Sequence, residues 1–69
     1  MKHRPLLWRS AITDALKSLR AEDEMAATNH LENAKCVCDD RVVKHRIEAA
    51  LGEAENGNFT EAITILETL

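Results

Sequence analysis

Cys36-Val37-Cys38, with His30 before it and His45 after it, is the one cluster of metal-ligand residue types in this chain. Thiolates and imidazoles hold zinc tetrahedrally, and the paired cysteines of such sites stand about two to four residues apart. A single intervening residue on a helix turns the two sulfurs about 200° from each other, so both could reach one ion only from an interhelix loop. The residues therefore predict a core position for Cys38, a partly exposed thiol for Cys36, and neither metal nor other cofactor. A redox role for the pair lacks the strand–turn–helix setting in which reactive dithiols sit.

His3, His30 and His45 stand apart from any serine or carboxylate at the spacing of a nucleophile and its base. His30-Leu31-Glu32 has the histidine of a phosphorelay helix without the lysine and glycine that usually follow it, so a solvated helix histidine is expected. No catalytic residue is assigned, and the chain is not expected to be an enzyme. Arg4, Arg9, Arg41, Lys44 and Arg46 could form a basic edge able to contact phosphates. An isoelectric point of about 5.5 and the lack of interleaved aromatics weigh against nucleic acid as the partner. Nucleic-acid binding is kept as the alternative function.

The elements that would position these residues are helices. Two glycines, one proline and little β-branched alternation predict an all-α chain. Trp8, Ile12, Ala15, Leu16 and Leu19 form the apolar stripe of a first helix starting near Pro5. Asp23 is the natural N-cap of a second, whose inner face is Ala27, Leu31, Ala34 and Cys38. Asp39 or Asp40 should cap a third, with the stripe Val43, Ile47, Ala50, Leu51 and Ala54, stopped by Asn56-Gly57. Asn58 and Glu61 have the spacing of a capping box and would open a fourth helix carrying Phe59, Ala62, Ile63, Leu66 and Leu69.

The chain also matches itself at an offset of 35, where Ile12/Ile47, Ala15/Ala50, Leu16/Leu51, Ala27/Ala62, Leu31/Leu66 and Glu32/Glu67 coincide. The caps Asp23 and Asn58 keep the same offset. One domain over residues 1–69 is expected, made of two antiparallel helical hairpins, 5–38 and 40–69. The run from Asn56 to Leu69 resembles the turn and second helix of a tetratricopeptide repeat, with Gly57, Phe59, Ala62 and Leu66 in the family's places. In the first copy Glu22 and Glu24 stand where Gly57 and Phe59 do. The resemblance implies a scaffold or adaptor that binds a protein segment and has no catalytic residues.

Sixty-nine residues bury a limited fraction of their surface, and a domain of this size commonly draws on a disulfide framework, a metal or a second chain. Two closely spaced cysteines make no such framework and fit a reducing cytoplasm. No run approaches the length of a membrane span, so no membrane association is expected. Net charge is -3 and unevenly spread, with a balance of +4 over residues 1–20 and -5 over residues 21–40, which suits antiparallel neighbours of opposite sign. The fourth helix has apolar residues on more than one side, Ile65 lying off its main stripe. The expected function is a small protein–protein interaction module, an adaptor or regulator that self-associates as a dimer. Its partner-binding residues would be Phe59, Ile63, Ile65, Leu66 and Leu69, with Trp8 as a second anchor.

Overall fold

A computed structural model describes residues 7–69. Arg4 and the helix start expected at Pro5 lie outside the described residues. Four α-helices follow in order: α1 (Leu7–Arg20), α2 (Glu24–Val37), α3 (Arg41–Glu55) and α4 (Phe59–Glu67). There is no strand among the described residues, and the fold is all-α. Three-residue connections make α1 and α2 one antiparallel hairpin and α3 and α4 another. The hairpins meet through α2 against α3, and α4 comes back onto α1, so each helix packs on two others.

The core is the sum of the apolar stripes. Trp8, Ile12, Ala15 and Leu19 of α1 meet Ala27, Leu31 and Ala34 of α2, with Cys38 just beyond it. Ile47, Ala50, Leu51 and Ala54 of α3 and Ala62 and Leu66 of α4 complete the cluster. Leu16 and Val43, expected among these, are only partly covered and pack at its margin. Ala15, Ala27, Ala34, Ala50, Ala54 and Ala62 are fully enclosed, so methyl groups line much of the helix contacts and the backbones lie close. No polar or charged side chain is buried among the described residues.

Local chemistry starts each helix. The Asp23 carboxylate accepts the Ala26 N–H at 3.2 Å, and that of Asp40 accepts those of Val42 and Val43 at 2.9 and 3.2 Å. Of the two aspartates proposed for the third helix, Asp40 is the cap. The expected capping box at Asn58 does not form: its side chain makes no cap bond to α4. Instead its Nδ2 donates to the Glu53 carboxylate at 2.9 Å. The tight turn brings Asn58 back beside the end of α3, where the charge-assisted bond from its amide N–H to the Glu53 carboxylate turns the side chain away from the α4 amides that its Oδ1 would cap.

The 35-residue offset is most exact in the turns. At the end of α1 the Glu22 N–H donates to the Leu19 carbonyl and the Asp23 N–H to that of Ser18. At the end of α3 the Gly57 N–H donates to Ala54 and the Asn58 N–H to Glu53. Both are Schellman motifs in the same register, and both require a left-handed residue at the fifth place. Gly57 has φ 82°, and Glu22 takes φ 58°, where a side chain is strained. Glu22→Gly is therefore expected to stabilise the domain by about 1 kcal/mol. Gly57→Ala should cost about the same, since the Cβ would meet open space and only the backbone objects. Thermal unfolding followed by circular dichroism should show midpoints moving in opposite directions, by about 4–8 °C each.

Candidate functional site

Among the described residues the cysteines and histidines do not converge. Cys36 is exposed and Cys38 buried, and the Cys38 thiol donates to the Asp40 carbonyl at 3.4 Å, fastening the connection between α2 and α3. No group of three or more potential metal-binding side chains forms among the described residues. An open surface depression is lined by Glu24, Met25 and Thr28 at the start of α2.

The apolar residues assigned to partner binding divide into two sets. Trp8 and Leu66 are buried in the core of the chain. Trp8 is the first full turn of the α1 stripe, and its ring is covered by the domain while the Arg9 guanidinium lies over it at 5.0 Å. Leu66 points along the same buried line as Ala62. Phe59, Ile63, Ile65 and Leu69 are half-covered and pack at the edge of the core.

Helical geometry explains why α4 is apolar on more than one side. At about 100° per residue, Ile63 and Ile65 fall on opposite flanks of the line through Ala62 and Leu66. The helix packs on both α3 and α1, so both flanks meet the rest of the domain. Two polar contacts hold its end in place. Arg20, closing α1, makes an ion pair with Glu67 at 2.8 Å, and Arg46 of α3 donates to the Thr68 hydroxyl at 3.1 Å.

The large apolar side chains left most open are elsewhere: Leu7, Met25 (76% exposed), Val37 and Val42 (69% exposed). Leu7 starts α1, Val37 ends α2 and Val42 lies in the first turn of α3, so these three share one end of the molecule. They fall outside the inward-facing period of their helices. Their only signal in the sequence is a β-branched or large apolar residue on a face that charges otherwise occupy.

No protein-family model, curated protein or solved structure matches this chain.

The candidate basic residues among the described ones are all exposed. Arg9 opens α1, while Arg41, Lys44 and Arg46 crowd the first half of α3 with His45. Arg20–Glu67 is the one ion pair among the described residues, and the α3 cations form none among them. Asp39 and Asp40 interrupt the basic character immediately before α3. No helix among the described residues is long and apolar enough to cross a membrane.

Proposed function

We propose that this chain is a small protein–protein interaction module, self-associating as a dimer, that acts by burying apolar helical surface. The observation that carries the reading is the distribution of uncovered side chains. Four short helices enclose an alanine-rich core yet leave Leu7, Val37 and Val42 open at one end and Phe59, Ile63, Ile65 and Leu69 half-covered along α4. Apolar surface removed from water contributes about 25 cal/mol per Å². Its concentration on so small a body favours a docking function over a solitary one. The resemblance of the second hairpin to a tetratricopeptide repeat points the same way. Two free cysteines fit the reducing environment of the cytoplasm, which the reading includes.

Ile65→Lys and Val42→Asp test it. Each places a charge on partly or fully exposed apolar surface without opening the core, so helix content by circular dichroism should be kept. The expected result in sedimentation velocity at micromolar concentration is a shift from dimer toward monomer for at least one of them. A wild-type chain that already sediments as a monomer, with both variants alike, counts against the reading.

A second reading rests on the exposed cations Arg9, Arg41, Lys44 and Arg46, which would contact nucleic-acid phosphates. Binding would then weaken steeply with salt, with log affinity against log salt sloping by about -0.9 per duplex phosphate contacted. Lack of binding to duplex DNA or RNA at low salt removes this reading.

A further inference from the structure

The charges of α3 run against its own backbone dipole. A helix amino-terminus is partially positive and its carboxyl end partially negative, so acids are favourable at the start and bases at the end. α2 follows this at both ends, with Glu24 opening and Lys35 closing it, and so do the end of α1, with Lys17 and Arg20, and the start of α4, with Glu61, whereas Arg9 opens α1 and Glu67 ends α4 against it. In α3 there is no acid in the first turn and no base in the last. Arg41, Lys44 and Arg46 fill its first half, and Glu48, Glu53 and Glu55 its second.

These charges flank an uncovered face. With Ile47, Ala50, Leu51 and Ala54 turned to the core, helical spacing of about 100° per residue puts Lys44 and Glu55 along one edge and Arg46 and Glu53 along the other. Between the edges, facing away from the core, lie Val42, His45 and Ala49, with Arg41 and Glu48 on the same face nearer the Lys44–Glu55 edge, all exposed. Gly52 is next on that face, and the space where its Cβ would be is open.

We infer that α3 of one subunit pairs antiparallel with α3 of a second copy, across a two-fold axis passing between Ala49 and Ala50. The inference rests on the reading of the chain as a self-associating module and supplies the partner and the register. In such a pair each edge meets its own equivalent with direction reversed. Lys44 and Glu55 are equidistant from the proposed axis, and so are Arg46 and Glu53. One register therefore sets Lys44 beside Glu55 of the partner subunit on one edge, and Arg46 beside Glu53 of the partner subunit on the other, each occurring twice. Arg46 and Glu53 also keep their contacts with Thr68 and Asn58 of their own chain, so the Lys44–Glu55 edge carries the register. The basic half of each helix lies along the acidic, dipole-negative half of its neighbour, so an arrangement unfavourable within one helix becomes favourable between two. Small residues at the crossing, Ala49 and Gly52, let the backbones approach closely. Val42 falls opposite Gly57 of the partner subunit, where this chain has open space.

Two single substitutions test the register. Lys44→Glu makes both ends of one edge acidic, and Glu55→Lys makes both basic. Each removes a dipole conflict in its own helix and leaves the core untouched, so each variant should keep the helix content of wild type by circular dichroism. Alone, each should dimerise about tenfold or more weakly than wild type in sedimentation velocity, since two attractions become two repulsions. Mixed in equal amounts, they should recover a dimer containing one of each. In that dimer the introduced carboxylate faces the introduced ammonium, and the remaining native Lys44 faces the remaining native Glu55.

Monomeric wild type, a single variant that associates as wild type does, or a mixture that stays monomeric overturns the pairing. A nucleic-acid surface would behave differently: Glu55→Lys would strengthen binding to duplex DNA, Lys44→Glu would weaken it, and the mixture would form no heterodimer, which also overturns it. If wild type dimerises, Ile65→Lys releases it and both charge variants still dimerise, the α3 pairing falls while the interaction module stands.

Discussion

Replacing Leu31 by alanine is expected to remove most of this domain's stability. Leu31 is fully enclosed at the middle of α2, the helix that touches both α1 and α3. Truncating a buried leucine costs about 2–5 kcal/mol, part of it lost transfer free energy and part the void that the neighbours fail to fill. Native domains have about 0.05–0.15 kcal/mol of stability per residue, so a chain of this length has only about 3–10 kcal/mol to lose. The thermal midpoint should fall by at least about 10 °C, on the order expected for a domain of this size. Glu32→Ala, one residue on and exposed, is the control and should stay within about 0.5 kcal/mol. Equal midpoints for the two variants would show that α2 is not packed as described.

The opposite change should be nearly as damaging. Ala27 and Ala62 hold equivalent places in the two hairpins, each fully enclosed in the second helix of its pair. Leucine at either position must push the facing helix away or adopt a strained rotamer, at about 1–3 kcal/mol. The double variant strains both hairpins together, and a loss near the sum of the two is expected if the hairpins relax independently. Urea denaturation reads this as a lower midpoint. Leucine in place of Ala21, which is exposed in the turn between α1 and α2, should be nearly neutral. A double variant as stable as wild type would contradict the close approach of these helices.

Much of the architecture was legible in the spacing of apolar residues. The inward stripes of the four helices place the observed core, from Trp8 through Leu66, because a buried helical face must repeat near every 3.6 residues. The cap Asp23, and Asp39 or Asp40 as that of α3, could be read because a short acceptor before an apolar run has few other uses. Asn58 was placed at the N-cap of α4, but its side-chain partner could not be read: Glu53 belongs to the previous helix, and only the tight turn brings the two together. The left-handed Glu22 was equally hidden, since its side chain argues against the conformation that the 35-residue equivalence with Gly57 imposes.

The proposed contact surface was less legible. Period alone marks Trp8, Ile63, Ile65 and Leu66 as apolar without distinguishing a residue that faces its own domain from one that faces a partner. That distinction depends on how the hairpins meet. Once α4 lies between α3 and α1, Leu66 is enclosed and Ile63 and Ile65 become flank residues. Val42 escapes the stripe for the same reason that makes it exposed: it lies on the outward side of α3.

The return of α4 onto α1 also governs how fast the chain can find its structure. The other main helix contacts join neighbours in the sequence, reached by closing a short loop, and helical domains dominated by such local closures fold in microseconds to milliseconds. Docking of α4 on α1 must instead bring together segments from opposite ends of the chain. That step should be the slowest to complete, and its reversal the first route by which the interior meets water.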